Sequence, residues 1–162
     1  GGPSLVFTDM PPGSYTPQFA ILLATFIVAS IIKDDKIKEI AVLTCMRNTT
    51  RSLQKSMTQN IGSHDKLLVD TVARVQGLTT DITVFFMPNT SYIRTLEPHL
   101  FNVATSRAKE HTIIIADKNV LEYPTIRPLV RKYLERLRDE QSIYIPMQKE
   151  QPQRYLDLGI GV

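Results

Sequence analysis

The residues of this chain able to do chemistry fall in short runs beside apolar stretches. Asp9, residues 44–47, residues 71–81 and Asp117 each follow such a stretch; the run Phe101-Asn102-Val103-Ala104-Thr105-Ser106-Arg107-Ala108-Lys109 precedes one. The first group offers the hydroxyls of Thr44 and Thr71, the guanidiniums of Arg47 and Arg74, and the permissive backbone of Gly77. The second sets Arg107 among Ala104, Ser106 and Ala108, whose small side chains let another backbone or a phosphate come close. A guanidinium suits a phosphate because it stays charged and presents a rigid fork of donors. What these residues offer is the holding of anions.

Bond-making chemistry finds no support. No Gly-x-x-x-x-Gly-Lys-Ser/Thr motif is present, so no loop wraps a triphosphate in the P-loop manner. Asp34-Asp35 follows a helical stretch and reads as a solvated helix end, not as a magnesium-binding pair closing an apolar strand. His64, His99 and His111 lack metal-ligand spacing, and with Cys45 as the only cysteine no metal site is expected. Neither a Ser-His-Asp nor a Cys-His constellation can be placed. The chain has no visible means of catalysis by itself.

At 162 residues, 43% of them hydrophobic, the chain is expected to form one domain over 1–162, with residues 1–4 and 146–162 as peripheral or flexible ends. A net charge of +3 is compatible with a polyanionic partner without requiring one. The single cysteine excludes an internal disulfide and fits a reducing, cytoplasmic setting. The longest apolar stretch, residues 19–32, falls short of the roughly 20 residues that span a membrane, and reads as a buried core helix. Gly1-Gly2-Pro3 carries no basic region of a signal peptide. A chain that opens without Met and enters a strand almost at once reads as a piece of something longer.

The elements that must position these residues follow from apolar patterning. Residues 5–8, 40–43, 67–69, 82–86 and 112–116 are short apolar runs of the kind found in strands buried on both faces, and 142–145 reads as an edge strand. Helices are expected over 17–33, over 49–59 with Asn48 as N-cap, and over 99–109. A further amphipathic helix carries Ile126, Leu129, Val130, Tyr133, Leu134 and Leu137 on one face. Its other residues mix Arg127, Arg131, Lys132, Arg136 and Arg138 with Glu135, Asp139 and Glu140, which reads as a solvated face. Strands alternating with helices predict an α/β fold: three layers, a mostly parallel sheet, helices on both faces. Ligands in such sheets bind at the carboxyl ends of the strands.

Two segments carry a family resemblance. Thr71-Val72-Ala73-Arg74-Val75-Gln76-Gly77-Leu78-Thr79-Thr80-Asp81 and the Phe101-to-Lys109 run, each leading into an apolar strand, resemble motifs V and VI of superfamily 1 helicases. Ile40-Ala41-Val42-Leu43-Thr44 with Cys45-Met46-Arg47 is similar to motif IVa, and the resemblance covers about residues 38–120. It implies the second, C-terminal RecA-like domain of an ATP-dependent helicase. In that family ATP with Mg2+ is bound mainly by the first, N-terminal RecA-like domain, which is not visible in this sequence.

The resemblance assigns roles. Arg107 matches the motif VI arginine that reaches across to the γ-phosphate, the one catalytic residue expected. Gln76 and Gly77 would approach the ATP phosphates. Thr44, Thr71, Arg47 and Arg74 would contact the phosphates of single-stranded DNA or RNA. Thr79 stands where many relatives carry Glu, which is closer to the 5′→3′ DNA-helicase branch (RecD/TraI-like). Cys45-Met46 departs from the usual Pro-Tyr, which puts contacts at those two positions in doubt. A non-catalytic RecA-like binding module and an RNA helicase domain of viral or surveillance type are the alternatives. No membrane partner is expected.

Overall fold

The computed structural model describes residues 2–75, 77–90 and 96–148. Among the described residues the strands and α-helices follow in the order β1 (Ser4–Thr8), α1 (Gln18–Ile31), β2 (Ile40–Thr44), α2 (Arg47–Ile61), β3 (Leu67–Thr71), β4 (Thr80–Phe86), α3 (Pro98–Thr105), β5 (Ala108–Asp117), α4 (Pro128–Glu140) and β6 (Ser142–Ile145). The strands form one sheet in the order β3-β2-β4-β5-β1-β6. Every pairing is parallel, so all six strands end on the same edge.

Two apolar layers sandwich the sheet, which explains why its strands read as unbroken apolar runs. Alternate residues turn to opposite faces. Leu5, Leu43, Phe85 and Ile114 join a core with Phe101 of α3 and Val130, Leu134 and Leu137 of α4. Val6, Val42, Val84 and Ile115 join another with α1 and with Leu53 and Met57 of α2. Phe101 is the hub of the first core: its ring meets Phe85 edge-on at 6.0 Å and Tyr133 at 5.2 Å. The result is the three-layer α/β architecture that the alternation predicts.

The 19–32 stretch is the buried core helix it was read as: Phe19, Leu23, Phe26 and Val28 of α1 are all buried. Among the described residues no helix is long and apolar enough to cross a membrane. β6 forms as an edge strand, parallel to β1.

Several boundaries differ from the pattern-based reading. α2 starts at Arg47 with Met46 in the cap position, so Asn48 lies inside the first turn and is not the N-cap. α3 is capped by Glu97, whose carboxylate accepts from His99 N at 3.1 Å and Leu100 N at 2.9 Å. It ends at Thr105 instead of running to Lys109. Ala108 pairs with Thr80 across to β4, and that ladder draws residues 108–111 into β5. Leu129 is 76% exposed, because the stripe of α4 that meets the core runs through Val130, Tyr133, Leu134 and Leu137.

Candidate functional site

The residues singled out above separate into two groups on opposite edges of the sheet. At the carboxyl edge β2 and β3 end side by side, with Thr44 in register with Thr71. The chain turns from Thr44 through Cys45 and Met46 into α2, and from Thr71 into a short 3₁₀ turn, Val72–Val75. Between these two exits lies a cavity of about 490 Å³, lined by Met46, Arg47, Asn48, Thr71, Ala73 and Arg74 among others. A second of about 290 Å³ shares Arg47, Thr71 and Arg74 and adds Arg51, Gln54 and Asp70.

The electrostatics of this edge favour anions. Arg47, Arg51 and Arg74 are all exposed. The first turn of α2 adds the positive end of a 15-residue helix, and no side chain caps it. One carboxylate opposes them: Asp70 Oδ2 lies 3.6 Å from Arg74 Nε. With the arginine side chain 78% exposed, that pair adds little stability but offsets part of the local charge. Asp70 Oδ1 also accepts from Thr71 N at 2.7 Å. Arg51, Gln54 and Asp70 escaped the sequence reading. The helical spacing of 47, 51 and 54, one face of α2 beside β3, is the signal that marks the first two.

Thr44 is different in kind. Its side chain is fully buried, and Oγ1 has no hydrogen-bond partner among the described residues. A hydroxyl so placed costs free energy unless something satisfies it. It is not among the residues lining either cavity.

Arg107 lies at the other edge. It immediately precedes β5, and its carbonyl accepts from Thr80 N at 3.0 Å where β4 begins. Its guanidinium is held by three acceptors: Nε donates to Val103 O at 3.0 Å, Nη1 to Leu78 O at 3.4 Å, and Nη2 to Ser106 Oγ at 3.3 Å. Leu78 follows Gly77, whose φ of +86° is a left-handed conformation that favours glycine. A Cβ there would meet nothing within 4 Å, so the glycine serves backbone conformation and not close packing. The structure thus joins Arg107 to the Gly77–Leu78 turn, on the loop into β4 and not at the end of β3. Gln76 lies outside the described residues.

The remaining carboxylates at strand ends hold the framework. Asp117 accepts from Met10 N at 2.9 Å and Asn119 N at 3.0 Å. Asp9 accepts from Tyr144 Oη, from Met147 N at 2.9 Å, and pairs with Lys118 Nζ at 2.9 Å. Burial pushes its carboxyl up, but the bonds from Met147, Lys118 and Tyr144 together outweigh that and hold it below the ordinary range. Asp81, at the amino edge, accepts from Lys38 N at 2.7 Å and Glu39 N at 3.0 Å, and these bonds lower its pKa. Among the described residues no group of His, Cys, Asp and Glu could hold a metal ion.

The all-parallel α/β sheet with helices on both faces is shared with solved helicase C-terminal domains. Over 88% of this chain and 84% of its own length, the C-terminal domain of a possible DNA helicase from Lactobacillus plantarum WCFS1 superposes with a TM-score of 0.60 at 16% identity. The C-terminal domain of the DEAD-box protein Dbp5 superposes with a TM-score of 0.56 at 14% identity, over 88% of this chain and 89% of its own. At those identities the likeness is one of fold, the helicase-type RecA-like fold. The family is shown by sequence: residues 12–119 match the AAA domain family, and the chain belongs to it. Comparison with curated proteins gave no match.

Proposed function

We propose that this chain is the C-terminal RecA-like domain of an ATP-dependent helicase of superfamily 1. It supplies an arginine finger and part of a single-strand binding surface, and is inert as an ATPase until joined to an N-terminal, P-loop-bearing RecA-like domain. The observation that carries the reading is the union of Arg107 with the Gly77–Leu78 turn at one edge (Nη1 to Leu78 O, 3.4 Å). A charged fork beside a left-handed glycine, whose backbone is exposed, is a fitting surface for phosphate oxygens.

ATP, with Mg2+ held mainly by the N-terminal domain, is the substrate that supplies the free energy. Arg107 exchanges its bonds to Val103, Leu78 and Ser106 for the γ-phosphate when the two domains close. Gly77, with Gln76 beside it in sequence, orients toward the same phosphates. Its resting bonds keep the guanidinium ordered, which lowers the entropy cost of using it. At the opposite edge Arg47, Thr71 and Arg74 hold the phosphates of a single strand, and Thr44 joins them if the turn after β2 moves. Thr79 in place of Glu supports the 5′→3′ DNA branch, and the lone Cys45 a cytoplasmic setting.

The test is Arg107→Ala in the full-length protein. ATP hydrolysis should fall by about 10³- to 10⁵-fold while nucleotide binding persists. Turnover at the wild-type rate removes the assignment.

A further inference from the structure

The two cavities at the carboxyl edge share Arg47, Thr71 and Arg74, yet they differ in chemistry. The smaller one adds Thr50, Arg51, Gln54 and Asp70, so its lining is polar or charged throughout. The larger one adds the apolar side chains of Cys45, Met46 and Ala73, and the amide of Asn48. A phosphate is well served by the first setting. An apolar wall gives it nothing, because a charge loses hydration there without gaining a partner.

The fold fixes the apolar wall from both sides. Met46 is half-buried and stands outside both apolar layers of the core. Its carbonyl accepts from Thr50 N at 3.0 Å and from Thr50 Oγ1 at 2.9 Å, which holds its backbone at the exit of β2. Ala73 is exposed on the 3₁₀ turn at the exit of β3, anchored between the buried Val72 and Val75. Asn48 is exposed in the first turn of α2, and since no side chain caps that helix its amide is not committed there.

We infer that the larger cavity is a nucleobase subsite: one base of the bound strand packs on Met46 and Ala73 with its edge toward the Asn48 amide, while the shared arginines hold the flanking phosphates. This deepens the strand-binding part of the proposed function and rests on it. A base needs what this cavity combines, an apolar surface for its ring face and a polar group for its edge. The Met thioether is polarisable and packs favourably against aromatic rings. An Asn amide presents a donor beside an acceptor, the pattern that base edges complement. The volume of about 490 Å³ falls within the roughly 300–1,000 Å³ of clefts that bury small organic molecules. Phosphate contacts alone would hold a strand without regard to its bases.

The test measures binding of the chain to a fluorescein-labelled oligothymidylate by anisotropy, over a range of salt, with Met46→Ala, Met46→Leu, Asn48→Ala and an oligonucleotide carrying abasic sites. Met46→Ala should weaken binding about 2- to 10-fold, the range of thioether contacts with aromatic rings. Met46→Leu keeps the apolar wall and should bind close to wild type. The slope of log K against log salt should stay at its wild-type value in all three variants, since no phosphate contact is lost. Abasic sites should weaken the wild type more than they weaken Met46→Ala, because the two changes remove the same contact. Asn48→Ala, at an exposed position, should also bind more weakly and respond less to abasic sites, and it decides the question if Met46→Ala melts early. Wild-type affinity in folded Met46→Ala and in Asn48→Ala, a reduced salt slope, or equal sensitivity of all proteins to abasic sites overturns the base subsite and leaves the arginine surface standing. If wild type binds neither oligothymidylate nor oligouridylate, the strand-binding reading fails first and this inference with it.

Discussion

Arg47→Ala should flatten the salt dependence of strand binding by a definite amount. Three guanidiniums, those of Arg47, Arg51 and Arg74, line the two adjoining cavities at the carboxyl edge. Asp70, 3.6 Å from Arg74, offsets part of one, so the effective number of phosphates neutralised lies between about two and three. For single strands each contributes about −0.7 to the slope of log K against log salt, giving about −1.4 to −2.1 for the wild type. Raising salt from about 50 to about 200 mM should then weaken binding roughly 7- to 18-fold. Removing Arg47 should lower the slope by about 0.7, and Asp70→Asn should raise it toward about −2.1 by releasing Arg74. Fluorescence anisotropy with a labelled oligonucleotide at four or five salt concentrations reads all three slopes. A wild-type slope near zero, or an Arg47→Ala slope equal to that of the wild type, refutes the reasoning, because the arginines would then not be meeting phosphates.

Two further outcomes follow from the framework. Phe101→Ala removes the ring that joins Phe85 to Tyr133 in a core position only 4% exposed, and should cost about 3–5 kcal/mol in urea unfolding. A loss below about 1 kcal/mol contradicts the packing described, since the site would have had to collapse fully. Asp81 has a depressed pKa from its bonds to Lys38 N and Glu39 N, so its contribution is present above the ordinary aspartate range and is lost as pH falls through the lowered value. The difference in Tm between wild type and Asp81→Asn should therefore hold from neutral pH down to that range and shrink below it; a gap independent of pH on the acid side counts against the two backbone bonds as its source.

The architecture was readable because burial on both faces leaves a plain mark. Residues 40–43 and 113–116 are apolar at every position, and each run falls within an all-parallel strand with a core on either side. Boundaries were less legible where tertiary pairing overrides local preference. Ala108 and Lys109 carry good helix propensity, yet the β4 ladder claims them, and Asn48 has the chemistry of an N-cap but sits two residues past the cap position, Met46. Leu129 fits the amphipathic spacing and still lies in solvent, since spacing defines a stripe and not its width.

The separation of the two groups of residues was, by contrast, implicit in chain order. In an all-parallel sheet a residue just after one strand and a residue just before another lie on opposite edges. Thr44 and Thr71 end β2 and β3, whereas Arg107 precedes β5, so the rule that ligands bind at carboxyl ends applies to the first two and not to the arginine. Between Thr71 and the start of β4 at Thr80 only residues 72–79 cross from one edge to the other, and β2 lies between the two strands they join. Val72 and Val75 are buried in the core beside α3 on the way, and Leu78 then accepts the bond from Arg107. A crossover that short, pinned at both ends and packed in its middle, has little slack. Proximity in sequence, not distance across the fold, relates the two edges.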